Sequence, residues 1–324
     1  MKPKHLLTFF LLQISFTSFA QTPSSLIDLV NPYVDSKNSR WFFFNTASRP
    51  FGMVNLSPDT DVNTDWGSGY RYESDSIKGS SHIHAWQLSG LSVLPVSNIS
   101  LEKNTDFGSP FSHDKEIVKP GYHQLILERY GVKIELTSTL RVGFHRYTFP
   151  KNSSQQVMVR LGGILGPSDI LDGEIQQVDL TTFQGYLING GNIRRPLDTH
   201  IFYAIKLNRP IREIKGWSEE GVTSELSKIR GKNSGALMSF DSSEEELLMK
   251  VGISYVSAEQ AMLNLDSELA HWDFEKVKQE SFDEWNSYLG RIQIEGGTEK
   301  DRRRFYTDLF HALQGRRTIS DFNG

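Results

Sequence analysis

Apolar and polar residues alternate in short runs through residues 21–260, and Gly, Pro, Asn and Ser interrupt these runs. In one clean example, Val132, Ile134 and Leu136 fall on one face of an extended chain and polar residues fall on the other. Comparable runs occupy residues 122–127, 143–149, 156–161, 200–207, 235–240 and 247–255. Alternation with a period of two, combined with frequent turn residues, predicts an all-β sandwich.

The spacing of apolar residues changes near residue 256 to the spacing typical of helices. Between residues 257 and 289, Phe274, Val277 and Trp285 are among the apolar residues of this pattern, and charged residues fill the other positions. This spacing predicts one or two helices with a break near residues 266–270. A short strand is predicted at residues 291–295.

A last helix is predicted over residues 298–314. Thr298 can cap its first turn, with Asp301 three residues later in a capping-box arrangement. Phe305 and other apolar residues line one face of this helix. Because few residues follow, we expect the helix to have little to pack against, and we expect its exposed apolar face to favour association.

The chain begins with the features of a secretory signal peptide over residues 1–20. Two lysines precede the apolar run 6–19, which is too short to span a membrane, and small residues near Ala20 predict cleavage after that residue. We therefore expect export across the inner membrane of a bacterium into the periplasm. No later run is apolar enough to span a bilayer, so we expect no membrane contact after cleavage.

Composition narrows the class of protein further. The chain has 324 residues and no cysteine, which excludes disulfides, thiolate metal sites and a lipid anchor on cysteine. An exported protein without disulfides is typical of bacteria. The formal net charge is −4, with both signs interspersed and no basic patch, so no nucleic acid partner is expected.

Two segments are the most informative in the chain: residues 49–60, RPFGMVNLSPDT, and residues 81–90, SHIHAWQLSG. Between them lies DWGSGYRY, residues 65–72. This pattern resembles the amino-terminal domain of glycoside hydrolase family 92, the calcium-dependent exo-acting α-mannosidases, whose members typically read PFGMVQLSPDT, then GYxY and SHTHLSG. Residues that resemble the linker of that family and the first helix of its helical barrel are 251–261, 272–280, 284–299 and 303–313.

The resemblance implies a mainly β fold with a helical end. An amino-terminal β-sandwich would occupy residues 21–260, a helical linker residues 261–290, and the start of an (α/α)6 catalytic barrel residues 291–324. These residues correspond to less than half of a full family protein, so we expect the barrel to be incomplete.

The resemblance also implies an activity, the hydrolysis of terminal α-mannosides with inversion, with Ca²⁺ as cofactor and mannose-containing glycans as partners. Inversion needs a carboxylic acid and a carboxylate base roughly 6.5–9.5 Å apart. Full-length members supply both groups and the calcium ligands from the helical domain, beyond the residues present here. We therefore assign no catalytic residue and no metal ligand in this chain, and we expect this chain alone to be inactive. The alternative is a non-catalytic carbohydrate-binding or structural β-sandwich module.

Arg49 is the first candidate substrate-binding residue. Residues 53–56 predict a strand between two shaped turns, and Pro58 and Asp59 predict the start of the second turn. One interpretation of this segment is architectural. The other is that Arg49 or Asp59 faces a sugar pocket.

His82, His84 and Trp86 alternate, so on a strand their side chains point to the same side. Imidazole nitrogens hydrogen-bond hydroxyl groups, and the Trp86 ring offers a flat surface to a pyranose, which favours a sugar-binding face. Two histidines two positions apart can also chelate a metal, but no further ligand completes such a set. Burial at an interface between domains is a further alternative.

Three more residues complete the candidate set. Trp66 lies on a Gly-rich segment, as a sugar platform or as a hydrophobic plug. Phe44 ends the run WFFF, which departs from the Gly-rich GTGGxGHTFPGA pattern of the family and indicates a divergent subgroup with altered specificity; core or interface is the alternative role. Asp321 falls where the family reads SDVDGRY, so by resemblance it would bind substrate hydroxyls, although Asp-x-Asn-Gly is also an ordinary turn.

Overall fold

A computed structural model describes residues 25–37, 44–60, 69–85, 88–101, 106–162, 169–193, 195–223 and 227–324. The predicted signal peptide lies outside the described residues. A 3₁₀ turn at Leu26–Leu29 begins the described chain, and a second one lies at His113–Lys115.

The strands are β1 Ser57–Asp59, β2 Ser76–Ile77, β3 Gly79–Ala85, β4 Leu88–Val96, β5 Ser109–Pro110, β6 Ile117–Lys119, β7 Tyr122–Leu127, β8 Val132–Ser138, β9 Val142–Thr148, β10 Gln155–Arg160, β11 Ile170–Gln177, β12 Thr182–Asn189, β13 Thr199–Leu207, β14 Glu213–Ser218, β15 Gly221–Thr223, β16 Lys228–Arg230, β17 Gly235–Phe240 and β18 Glu246–Ser254. The helices are α1 Ala258–Glu268, α2 Phe274–Leu289 and α3 Glu299–Gln314.

Two large antiparallel sheets form the body of the fold. The first has seven strands in the order β1-β3-β4-β10-β17-β14-β15, and the second has nine in the order β16-β11-β12-β13-β18-β9-β8-β7-β6. Strands β2 and β5 form a separate two-stranded pair. The mainly β fold expected from the alternating pattern is confirmed.

One apolar core lies between the two large sheets. It contains Val93, Val157 and Met238 from the first sheet and Ile134 and Tyr203 from the second, all fully buried. Burying a side chain of this size contributes about 1.5–3 kcal/mol relative to leaving it exposed. The alternation seen in the sequence of β8 therefore places one of its faces in this core.

The three helices begin at capped positions. The Ser257 hydroxyl accepts a hydrogen bond from the Gln260 N–H at the start of α1. Thr298 and Asp301 form a complete capping box at the start of α3, as the sequence predicts. The predicted helix break is found between α1 and α2. Helix α1 lies against β18, where Gly252 permits the contact because an added Cβ would lie 2.4 Å from the Ala261 carbonyl oxygen.

The expectation that the last helix has little to pack against is wrong. Tyr306 and Phe310 of α3 are buried together with Trp285 of α2 and with residues of the 3₁₀ turn Leu26–Leu29. The ring centroids of Trp285 and Phe310 are 4.7 Å apart. The N-terminal turn packs on the side of α3 that carries Tyr306 and Phe310, while Phe305 of the predicted apolar face is half-buried. This long-range partner is not visible in the local spacing of the helix.

Two local predictions are also wrong. Residues 291–295 form no strand, because Ile294 packs on the cluster between α2 and α3 instead of joining a sheet. Residues 53–56 form no strand either, since the N–H groups of Met53 and Val54 both donate to the Leu140 carbonyl oxygen. Strand β1 comes just after them, so the predicted turn at Pro58 is a strand at the edge of the sheet, a position that tolerates a residue without an N–H group.

Candidate functional site

The two informative segments of the sequence meet in the first sheet. Strand β1 pairs with β3, with Ser57 opposite Ser81 and Asp59 opposite Gly79. The Asp59 Oδ1 atom also lies 2.6 Å from Nε2 of His84, which is farther along β3. Both side chains are fully buried. The segments therefore converge on one buried pair, which we call the His84–Asp59 pair.

Hydrogen bonds fix the orientation of this pair. His84 Nδ1 lies 2.6 Å from the Asn55 carbonyl oxygen, so both ring nitrogens lie beside oxygen atoms of the protein. The Ser81 hydroxyl donates to the second Asp59 oxygen at 2.5 Å. The polar atoms of both buried side chains therefore have hydrogen-bond partners within the protein.

Gly69 packs directly on the pair. An added Cβ would lie 2.7 Å from Asp59 Oδ1 and 2.8 Å from His84 Nε2, and the φ angle of Gly69 is +72°. Glycine alone meets both requirements without strain. The Gly69 carbonyl accepts the Thr60 N–H at 2.6 Å, which ties the end of the first segment to the Gly-rich one.

His82 lies in the interior of the sandwich. Its Nε2 is 2.8 Å from Nε2 of His145, its Nδ1 is 2.8 Å from the Leu91 carbonyl oxygen, and the Tyr147 hydroxyl is 2.8 Å from His145 Nδ1. Burial lowers the pKa of His82 to about 4 and the pKa of His145 well below its usual value. Both rings are therefore neutral: Tyr147 donates to His145, His145 to His82, and His82 to the carbonyl.

Arg49 connects the sandwich to the helical part. Its Nε donates to the Ser138 carbonyl at 2.8 Å, and its Nη1 donates to Glu284 of α2 at 2.7 Å. Only 9% of its side chain is exposed. The structure thus places Arg49 at a contact between domains.

Phe44 lies in a buried aromatic cluster. Its ring stacks on that of Tyr70 with centroids 4.0 Å apart and an angle of 12° between the planes. The ring of Tyr33 lies 6.0 Å from that of Phe44 and 6.5 Å from that of Tyr70, so the three rings form one cluster. Phe44 and Tyr70 are both buried, so their rings contribute to the core beside the His84–Asp59 pair.

Asp321 holds the last residues to the sandwich. One carboxylate oxygen accepts from the Ser254 hydroxyl at 2.9 Å, and the other accepts from the Asn264 amide at 2.7 Å. Of the remaining candidates, Trp66 and Trp86 lie outside the described residues. The structure therefore brings His84 and Asp59 together, and it places Phe44, Arg49 and Asp321 in separate structural contacts.

Two further groups near the pair are not evident from the sequence. Arg317, after α3, donates to the His84 carbonyl oxygen at 2.7 Å, and burial lowers its pKa to about 10. The adjacent Thr318 N–H donates to the Phe51 carbonyl at 2.8 Å. Residues 317–318 therefore contact both informative segments. No spacing within the sequence indicates this contact, because it forms only in the folded chain.

The carboxyl groups show what chemistry the described residues offer. Burial alone would raise the pKa of Glu116, but hydrogen bonds from His123 and His113 outweigh burial and lower it. Burial likewise opposes hydrogen bonds from Arg146 and Lys133 at Glu135, whose pKa falls to about 2. A general acid needs a raised pKa, and among the described residues every resolved shift of a carboxyl pKa is downward.

In a chain without cysteine, the potential metal ligands among the described residues are His, Asp and Glu side chains. Over the ranges that the structure describes, no group of three or more His, Asp or Glu side chains could hold a metal ion. Within these ranges there is also no helix that is both long enough and apolar enough to cross a bilayer.

Similarity to known proteins extends over nearly the whole described chain. Residues 29–254 match the glycosyl hydrolase family 92 N-terminal domain, and residues 260–324 match the glycosyl hydrolase family 92 catalytic domain. An uncharacterized secreted glycosidase of Arthroderma benhamiae is 23% identical over 339 residues, which cover 91% of this chain and 42% of that protein.

Solved structures show the same relationship. A family GH92 alpha-mannosidase from Bacteroides thetaiotaomicron is 27% identical, with a TM-score of 0.81 over 93% of this chain and 42% of that one. Its complex with mannoimidazole gives a TM-score of 0.83, over 93% of this chain and 41% of that one. A family GH92 inverting mannosidase from the same species shares the fold at 23% identity and a TM-score of 0.81, over 94% of this chain and 41% of that one. This chain thus spans about two fifths of the length of these relatives, and it belongs to glycosyl hydrolase family 92.

Proposed function

We propose that this chain is the amino-terminal part of an α-mannosidase that hydrolyses terminal α-mannosides with inversion. The observation that carries this proposal is the similarity, at 27% identity and a TM-score of 0.83, to an alpha-mannosidase in complex with mannoimidazole. That likeness covers 93% of the chain and includes both informative segments and the helices that follow. The substrate class proposed here is therefore mannose-containing glycans.

The role proposed for the described residues is to build and orient one wall of the sugar site. The His84–Asp59 pair fixes β1 against β3 and holds Gly69 close to both. Trp86 follows His84 after one residue, and Trp66 precedes Gly69 by three. We propose these two rings as the direct sugar contacts, because a tryptophan face suits the C–H face of a pyranose. His82 and His84 then act as positioning residues.

We propose that the hydrolytic step draws on groups outside the described residues. Inversion requires a protonated acid and a carboxylate base roughly 6.5–9.5 Å apart, whereas the resolved carboxyl pKa shifts are all downward. The Asp59 carboxylate is already bound to His84 and Ser81. We propose that the acid, the base and the ligands of a calcium ion lie elsewhere in the full-length family members. No cluster of described residues fits that ion, so no step is derived through it.

The proposed location is the bacterial periplasm. The support is the signal-peptide pattern of residues 1–20 together with a relative that is called secreted. A measurement of the mature N-terminus and of the fraction that contains the protein would test it.

Turnover tests the enzyme proposal. The chain, purified with calcium, is incubated with an α-mannobiose, and the released sugar is followed by proton NMR. We expect no hydrolysis by this chain alone, and we expect β-mannose as the first product once the chain is joined to the remainder of a family catalytic domain. Hydrolysis by the chain alone would contradict the assignment of the acid and base to other residues.

A non-catalytic carbohydrate-binding or structural module is the second candidate. Its support is the depth of His82 and His84, whose ring nitrogens are all used by the protein itself. Binding of mannobiose without turnover in the joined protein would favour a binding module. Neither binding nor turnover in the joined protein would leave a structural role.

A further inference from the structure

A concave surface lies beside the N-terminal segment. It is a cavity of about 310 Å³ that opens to solvent, and its lining residues are Asn31, Tyr33, Val34, Lys37 and Tyr72. Cavities of roughly 300–1,000 Å³ suit small ligands. We call it the Tyr72 cavity. The candidate residues derived from the sequence do not include any of these five.

Tyr72 presents an exposed aromatic ring that is held in place. The residue is 38% exposed, yet its ring stacks on the His113 ring with centroids 4.2 Å apart and 8° between the planes. The Tyr33 ring meets it edge-on at 5.2 Å. Such contacts restrict an exposed side chain that would otherwise move among rotamers, so the surface is formed before a ligand arrives.

The support beneath Tyr72 reaches into the core. His113 Nδ1 lies 2.6 Å from Glu116 Oε2, and His113 Nε2 lies 2.9 Å from the Tyr72 carbonyl oxygen. The Glu116 side chain is fully buried, and its other oxygen is 2.7 Å from His123 Nε2. Because both ring nitrogens of His113 face acceptors, the ring has one orientation. A buried carboxylate therefore fixes the plane on which Tyr72 rests.

Two polar side chains line the cavity together with this ring. Asn31 and Lys37 are exposed at the edge of the cavity. Asn31 Oδ1 accepts the Tyr33 N–H at 3.1 Å, which orients the amide and leaves its NH₂ group as a donor. The Lys37 ammonium pairs with Glu73 at 2.7 Å. A flat ring with hydrogen-bonding groups around it matches a pyranose, which has an apolar C–H face and polar edges.

A row of aromatic rings runs from the Tyr72 cavity into the core. The Tyr33 ring lies 6.0 Å from that of Phe44, and Phe44 stacks on Tyr70 at 4.0 Å. Tyr70 directly follows Gly69, which packs on the His84–Asp59 pair. Because Phe44 and Tyr70 are buried, these rings support the wall of the cavity from beneath.

We propose that the Tyr72 cavity binds a pyranose ring of a mannose-containing glycan, with the sugar stacked on Tyr72 and its hydroxyl groups bonded to Asn31 and Lys37. The identity of the sugar rests on the proposed function. The geometry of the cavity stands independently of it. The expected consequence is that an oligosaccharide binds more tightly than a single sugar.

Titration calorimetry tests this proposal with methyl α-mannoside and an α-linked mannotriose as probes. We expect Tyr72→Ala to weaken mannotriose binding about 5- to 10-fold. Tyr72→Phe retains the ring and is expected to bind like the wild type. Tyr186→Ala is the matched control, because it removes a half-buried tyrosine from β12, far along the nine-stranded sheet. Asn31→Ala removes a proposed hydroxyl contact at the edge of the cavity, together with the hydrogen bond from the Tyr33 N–H, and retains the Tyr72 ring.

The outcomes separate this proposal from the proposed function. Mannotriose binding that is lost in Trp86→Ala and unchanged in Tyr72→Ala and Asn31→Ala overturns the cavity and leaves the proposed site. Binding that weakens in Tyr72→Ala and is unchanged in Trp86→Ala supports the cavity and contradicts the proposed role of Trp86. If the wild type binds neither probe, both proposals fail. Thermal unfolding of each variant verifies that the fold is intact.

Discussion

Arg141 and Glu268 form a buried ion pair that joins the turn between β8 and β9 to the end of α1, with Arg141 Nη1 2.6 Å from Glu268 Oε1. The other Glu268 oxygen accepts from the Arg141 N–H at 2.9 Å and from the Thr139 hydroxyl at 2.5 Å. Arg141 Nε also donates to the Ser320 carbonyl at 2.7 Å. One carboxylate thus connects the sandwich, the first helix and, through Arg141, the last residues.

Removing one partner of this pair leaves a buried charge without compensation. We expect Glu268→Ala to lower the free energy of unfolding by about 3 kcal/mol. Urea unfolding measures it. The control is Glu245→Ala, which removes an exposed partner of Lys151 at 3.6 Å and should change stability by less than about 1 kcal/mol. Equal losses in the two variants would contradict the role given to Glu268.

Stability should fall on mild acidification because of His82 and His145. Their folded pKa values are lowered, to about 4 for His82, whereas the unfolded histidines bind protons near their ordinary value. Between about pH 6.5 and 4 the unfolded state therefore binds more protons than the folded state, and the free energy of unfolding decreases as the pH falls. Urea unfolding at several pH values measures this slope.

A variant isolates the contribution of these two rings. Replacing both, in His82→Gln/His145→Gln, should reduce the acid slope, and His311, whose burial lowers its pKa to about 4, should maintain part of it. His200→Gln, at an exposed position, should leave the slope unchanged. If the double variant keeps the full slope, His82 and His145 are not the neutral rings that produce it.

Lys250 should produce a dependence of the same sign at alkaline pH. Burial lowers its pKa to about 8, although its ammonium donates to the Leu269 carbonyl at 2.8 Å and lies 3.7 Å from the centroid of the Trp272 ring. Above about pH 8 the unfolded lysine still binds a proton that the folded one has released, so the free energy of unfolding should rise with pH. Measurements between pH 8 and 9.5 avoid the titration of tyrosines. Lys250→Met should remove this rise, and Lys151→Met, at an exposed position, should retain it.

Gly69→Ala tests the contact with the His84–Asp59 pair. The new Cβ would lie 2.7 Å from Asp59 Oδ1 at a φ angle of +72°, so both strain and a clash are expected, with a loss of about 2–3 kcal/mol. Gly296→Ala is a matched control, since its φ angle is +80° and no atom lies within 4 Å of an added Cβ. It should lose only about 1 kcal/mol. Similar losses in both variants would mean that the clash is relieved.

Local patterns in the sequence predicted the elements that depend on local chemistry. Strands β7 and β17 have the bounds expected from their alternation, and the Thr298 capping box is present. Residues 53–56 and 291–295 were misjudged because their apolar side chains serve tertiary contacts instead of sheet pairing. A short apolar run has the same sequence pattern whether it pairs in a sheet or packs against other elements outside a sheet.

The candidate site, too, is only partly predictable from the sequence. The two informative segments were recognisable from their residues, and β3 does carry His82 and His84 on a strand. The partners of these histidines come from elsewhere: Asp59 from a paired strand and His145 from the opposite sheet. Such partners follow from sheet register and packing, which a single sequence does not specify. Arg317 was missed for the same reason.

The cluster around Phe310 has a consequence for the folding of the chain during its synthesis. Its contacts join the first and last described segments, as in the hydrogen bond from the Asn31 N–H to the Thr307 hydroxyl and the one from Ser25 to Asn286. Contacts of such large sequence separation are the costliest to close during folding. On the ribosome, the residues at Leu26–Leu29 can reach this cluster only after α3 has emerged, so we expect its contacts to form after the strands of the sandwich have been synthesised.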